Sequence, residues 1–130
     1  MKGDFAETIR ALPDFYPANG ASVEDIKSAE QKLGLTFSSE YREYLEAFGD
    51  ASANGHELTG ISESIRINVV SVTEAERLRN PGVPTNLYVV EQARVDRIAI
   101  WQDEHGAIFQ TMPGSKPEKV CESLSEYIAS

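Results

Sequence analysis

Apolar positions along the chain follow two spacings, three to four residues in some stretches and two in others, and these predict helices and strands respectively. The helical spacing is clearest between Ser22 and Phe48. Val23, Ile26, Ala29 and Leu33 form one stripe, opened by Ser22 as N-cap with Asp25 in the reciprocal position and stopped by a left-handed Gly34. After the connector Leu35-Thr36-Phe37, Ser38 or Ser39 caps another helix. There Tyr41, Tyr44, Leu45 and Phe48 share an arc of about 100°, and Gly49 stops the helix in the same way. Two capped helices joined this tightly pack as a pair on a common surface.

Upstream, Phe5, Ile9 and Leu12 predict a first helix, capped by Asp4 with Glu7 in capping-box position and ended by Pro13. Residues 13–21 read as a loop whose Phe15 and Tyr16 pack onto the core. Downstream, the loop DASANGHE leads into two alternating segments, Leu58–Ile61 and Ile65–Val72. Thr73-Glu74-Ala75-Glu76 reads as a capping box opening a short helix that Asn80-Pro81 ends. Leu87–Val90 predicts a strand. Arg97–Gln102 and Ala107–Met112 flank Asp103-Glu104-His105-Gly106 as a hairpin, with Ile98, Ile100, Ile108 and Phe109 in its core and Trp101 on the less buried face. A last capping box, Ser123 to Glu126, opens a helix with Leu124, Tyr127 and Ile128 on one side. Neither a repeat nor a low-complexity segment interrupts this pattern, which predicts one α+β domain over residues 1–130.

Composition agrees with a folded domain: 130 residues, 41% apolar and 25% charged. No apolar run approaches the ~20 residues of a membrane helix, and MKGDFAETIRALPDF has no secretory-signal core. Cys121 is the only cysteine, which excludes an intramolecular disulfide and fits a reducing, cytoplasmic setting. The net charge of −9 changes the picture more. Such a chain repels phosphate backbones and anionic membranes, so neither nucleic acid nor membrane is expected as a direct partner, whereas a basic protein would be steered towards it. Much of the charge is local. Glu40, Glu43, Glu46, Asp50, Glu57 and Glu63 face a single base, Arg42, between positions 40 and 63. That stretch reads either as a solvated helix face or as an acidic docking surface.

Candidate chemistry is thin. His56 and His105 both fall in predicted loops, and Asp103, Glu104 and His105, being consecutive turn residues, diverge instead of converging on a substrate. Zinc-ligand spacings, a glycine-rich phosphate loop and a Gly-x-Ser-x-Gly elbow do not occur in the sequence. Cys121, beside Val120, reads as a structural thiol. These residues give no positive case for an enzyme, and no cofactor, metal or catalytic residue is expected.

Ile26, Glu30, Leu33 and Gly34, then Glu40, Tyr41, Tyr44, Leu45 and Gly49, stand at the spacing of a two-helix signature. The Gly60-Ile61 strand entry, the Asp103, Gly106 and Ile108 hairpin and the helix Leu124 to Ile128 extend the pattern. In these features the chain resembles the SUKH superfamily of bacterial immunity proteins, which also includes a fungal cell-wall regulator. It departs at Phe37-Ser38, where Leu-Pro is usual, and at Gly49-Asp50, where Asn-Gly-Gly is usual. The resemblance implies a mainly antiparallel sheet covered by the N-terminal helix pair, with a short C-terminal helix. It also implies an antidote that binds a cognate secreted toxin, often a nuclease, in the producer's cytoplasm. On that reading the contact residues are Glu40, Glu43, Glu46 and Asp50, with Asp103, Glu104 and His105 as a second candidate. The rivals are an adaptor or regulator that binds another cellular protein and, last, a hydrolase using the acids with His56 or His105.

Overall fold

A computed structural model describes residues 4–93 and 96–130 of the chain. Its helices are α1 (Asp4–Arg10), α2 (Val23–Leu33), α3 (Ser39–Phe48), α4 (Val69–Arg79) and α5 (Leu124–Ile128). The strands are β1 (Tyr16–Pro17), β2 (Ala51–Ala53), β3 (His56–Glu57), β4 (Tyr88–Gln92), β5 (Ala99–Gln102), β6 (Ile108–Thr111) and β7 (Glu118–Cys121). Strands β4 to β7 form one antiparallel sheet in sequence order, and β1 to β3 form a smaller antiparallel sheet. The fold is α+β.

The helix pair forms as its caps dictate. The Asp25 amide donates to Ser22 Oγ (3.1 Å), and Gly34 takes the left-handed conformation (φ 70°, ψ 36°). Of the two candidate serines it is Ser38 that caps α3, its Oγ accepting from the Tyr41 amide at 3.0 Å. Gly49 ends α3 with φ 72° and ψ −59°, so its stop differs from that of Gly34. A side chain there is excluded twice over, because a Cβ would lie 2.2 Å from the Asn19 carbonyl oxygen. Ile26, Ala29, Leu33, Tyr41, Tyr44, Leu45 and Phe48 are all buried. Val23 departs from this pattern: it stands at the first position of α2, beyond the packed turn, and is exposed.

The four-stranded sheet is covered on both faces. Tyr88, Val90, Ile100 and Ile108 join the helices in the main core, while Val89, Ala99 and Trp101 pack with Val72, Val83 and Leu87 in a second one. Trp101, expected on a wetter face, is therefore fully buried, and its indole N–H donates to Thr111 Oγ1 at 2.9 Å. Phe15 packs edge-on against Phe48 as expected, but Tyr16 does not reach the core and is 79% exposed on its short strand. The cap assigned to Asp4 rests on a side chain outside the described residues.

Two stretches fold otherwise than their pattern suggests. Residues 65–72 do not form a strand: 65–68 are loop and turn, and α4 begins at Val69, capped by Asn68, whose Oδ1 accepts from the Val70 and Ser71 amides at 3.0 and 3.3 Å. The buried stripe of α4 is Val69, Val72, Thr73 and Glu76, and its two polar members hide the helical period. Thr73 is thus an interior residue whose Oγ1 accepts from the Val89 amide at 3.0 Å, not a cap. Likewise DASANGHE contains the β2–β3 hairpin, turned by Asn54 and Gly55, both at positive φ, and Leu58–Ile61 runs on as irregular chain with one bridge from Gly60 to Asn68. Asn68→Ala should cost about 1 kcal/mol and lower the melting temperature by a few degrees; calorimetry showing no change would contradict Asn68 as the cap.

Candidate functional site

The two stretches with candidate contact residues meet at one groove of about 760 Å³. Its walls come from α1, the start of α3, the β5–β6 turn and the segment entering α5, and carry Glu7, Glu40, Glu43, His105 and Glu122. Four carboxylates around one concavity suit a cationic surface and repel an anionic one.

The groove rests on a buried polar network that begins at Glu40. Its Oε1 accepts from the Leu124 amide (2.7 Å) and from Gln102 Nε2 (3.0 Å), and its Oε2 accepts from the Ser125 amide and hydroxyl, both at 3.0 Å. Glu40 thereby fixes the start of α5 with a charge-assisted set of bonds. Gln102, fully buried, uses its whole bonding capacity. Nε2 also donates to the Gly106 carbonyl (3.0 Å), while Oε1 accepts from the Tyr88 hydroxyl (2.7 Å) and the Ser38 hydroxyl (3.1 Å). The Ser38 amide closes the loop by donating to the Tyr88 hydroxyl at 2.9 Å.

Of the seven candidate contact residues, Glu40, Glu43 and His105 line the groove. Glu40 is only partly exposed, so it is not part of a solvated face, and its oxygens already serve α5. Glu46 is exposed but stands outside the groove lining, as does Asp50. Asp50 sits instead among β2, Glu57 and Ser62, where burial and then the nearby Glu57 charge push its carboxyl above the usual range. Asp103 folds back to hold its own turn, Oδ1 accepting from the His105 and Ala107 amides at 2.9 and 3.0 Å. Glu104 projects into solvent at the tip.

A second carboxylate hub lies outside both candidate stretches. Glu91, buried in β4, accepts from the Glu57 amide through Oε2 (2.8 Å) and from the Tyr127 hydroxyl through Oε1. His56 Nδ1 lies 2.9 Å from that same Oε1, and its Nε2 lies 3.2 Å from the Ser130 carbonyl oxygen. His56 is therefore tied into the structure and is not a free loop residue. Burial and the adjoining carboxylate push the Tyr127 phenol well above its ordinary value. Both hubs left one signal in the sequence: a polar residue directly after an apolar run in a strand, Glu91 in LYVVEQ and Gln102 in IAIWQ.

Burial pushes the Cys121 thiol up, which disfavours the nucleophilic thiolate. Among the described residues no group of three or more His, Cys, Asp or Glu could hold a metal ion. Nor is any described helix long and apolar enough to cross a membrane.

Comparisons with known proteins bear on the family and the fold. The family model SUKH_5, described as SMI1-KNR4 cell-wall, matches residues 4–130. The chain belongs to the SUKH family, whose membership suggests a protein-binding domain. A crystal structure of a protein from Pseudomonas syringae pv. tomato is similar in fold, with a TM-score of 0.75 at 16% identity, covering 98% of this chain and 95% of that one. No curated protein matches. The signature residues are structural: Glu30, for example, accepts from the Phe37 amide at 2.8 Å and pairs with Arg42 at 3.2 Å, fastening α2 to the connector and to α3.

Proposed function

We propose that this domain is an immunity protein, which binds a cognate secreted toxin stoichiometrically and neutralises it in the producer's cytoplasm, without turnover or cofactor. The observation that carries this reading is the acidic groove, where Glu43 of α3 and His105 of the hairpin tip stand with Glu7, Glu40 and Glu122. A nuclease toxin is basic where it holds nucleic acid, and an acidic antidote competes for that surface and accelerates encounter. Family membership supports a protein partner, and the net charge of −9 argues against direct contact with nucleic acid or membrane.

The test is titration calorimetry and stopped-flow binding at low and high salt with basic toxin domains, beginning with any that a neighbouring gene encodes. Glu43→Lys and Glu122→Lys should each weaken binding by about tenfold, mainly through the association rate, while Glu46→Lys outside the groove has a smaller effect. No complex at low salt, or a complex indifferent to salt and to both reversals, would sink the proposal.

A further inference from the structure

A second cavity, of about 360 Å³, shares no lining residue with the acidic groove and has the opposite character. It lies among the segment from Glu57 to Ile67, the C-terminal half of α4, and Ala93, Arg97 and Ile98 between β4 and β5. Among the described residues three arginines, Arg66, Arg79 and Arg97, line it from those three segments.

Two of them are held in place by carboxylates. Arg66 donates a fork to Glu57, Nη1 to Oε1 at 2.6 Å and Nη2 to Oε2 at 2.8 Å. Arg79 Nη1 donates to Glu76 Oε2 at 3.1 Å. Glu76 is itself buried and fixed by Gln92 Nε2 (2.6 Å) and Asn80 Nδ2 (3.3 Å), so the guanidinium of Arg79 is oriented from behind. Arg97 differs. Among the described residues it has no hydrogen-bond or ion-pair partner, and it follows Asp96 in a turn where both residues take positive φ, 56° and 55°. An arginine in the left-handed region is uncommon and carries a local conformational cost. Among the described residues the lining thus holds three arginines against two carboxylates, a local excess of positive charge in a chain of net charge −9.

We infer that this cavity is a binding site for a phosphate group carried by a small molecule or free in solution. Guanidinium groups approaching from three segments match a tetrahedral oxyanion with several acceptor oxygens better than one planar carboxylate, which two forks saturate. Arg66 and Arg79 are oriented in advance by Glu57 and Glu76, and Arg97 supplies a charge that no described carboxylate pairs. Ile67 and Ile98 give the cavity an apolar wall, against which an organic moiety attached to the phosphate can rest. The volume suits a metabolite-sized ligand, and the overall negative field keeps polymeric polyanions away.

The test is a ¹⁵N-edited NMR titration of the whole chain with inorganic phosphate and, separately, with adenosine monophosphate, at constant ionic strength against chloride. Saturable shifts should concentrate on the amides of Glu57, Thr59, Ile67, Gln92 and Ile98. Arg97→Ser should weaken binding by about tenfold and Arg97→Lys by less, because lysine keeps the charge but loses the fork. Circular dichroism should show both variants folded, since Arg97 is exposed and bonded to none of the described residues. Tighter binding of the nucleotide assigns a role to the apolar wall, and equal binding assigns recognition to the phosphate alone; either supports the site. Shifts that stay linear, that scatter over the surface, or that persist unchanged in Arg97→Ser would overturn it.

Discussion

Raising the pH from 10 to 11 should cost the domain about 3 kcal/mol of stability, and its buried phenols should ionise only together with unfolding, at a pH set by the stability that remains. Tyr41, Tyr44 and Tyr88 are fully buried, and burial pushes each phenol well above its ordinary value of 10. The unfolded chain releases these protons near pH 10, whereas the folded chain keeps them. Their contribution is therefore present in full below pH 10 and lost as pH rises towards the folded values. For one such phenol linkage gives about 1 kcal/mol between pH 10 and 11, and about 1.4 kcal/mol for each further pH unit. Three of them amount to a large fraction of a typical domain's stability, and Tyr127, less deeply buried, adds in the same direction. The phenolate absorbance of the buried tyrosines near 295 nm and far-ultraviolet circular dichroism should follow a common transition. Ionisation of these three phenols with the helices intact would show the burial argument to be wrong.

Gln102→Leu should be the most damaging single substitution at the groove, costing about 3–5 kcal/mol. Leucine fits the volume but leaves the Tyr88 and Ser38 hydroxyls and the Gly106 carbonyl without the partner they have in the native network. It also takes one donor from Glu40 next to the start of α5. Urea denaturation reads this as a lower midpoint. Glu40→Gln provides the contrast: it keeps the shape, loses the charge and turns an amide N–H2 towards one pair of donors, at Ser125 or at Leu124 and Gln102, so a loss of about 1–3 kcal/mol, below that of Gln102→Leu, is expected. Equal costs for the two substitutions would mean that the network does not run through Gln102.

The sequence was most legible where one residue type has one physical use. Ser22, Ser38 and Ser123 cap helices, and the apolar stripe of α3 packs as its period requires. Gly34 and Gly49 end their helices at the expected positions, although with different backbone geometry. Legibility failed where polar side chains are buried. Thr73 and Glu76 look like a surface cap and are the inner face of α4, so four β-branched residues at 67–72 suggested a strand instead. Trp101 reads as facing the wetter side because nothing in the sequence marks the second core behind the sheet. The candidate site was half legible. Local charge points to Glu43 and the hairpin tip to His105, but that both line one groove depends on contacts 60 and more residues apart. The same distance hid the work of Glu40, because nothing near it in sequence announces α5.

Glu40 and Glu91 have a consequence for how the molecule comes into being. Each carboxylate waits for α5, Glu40 for the amides of Leu124 and Ser125 and Glu91 for the phenol of Tyr127, across separations of 84, 85 and 36 residues. A nascent chain emerging from the ribosome therefore exposes its helix pair and sheet before either acid has its full set of partners. The groove wall closes only after residue 125 is free, and contacts this distant in sequence form late. Until then the acidic surface exists as charge without shape, able to attract a basic partner but not yet to fit one.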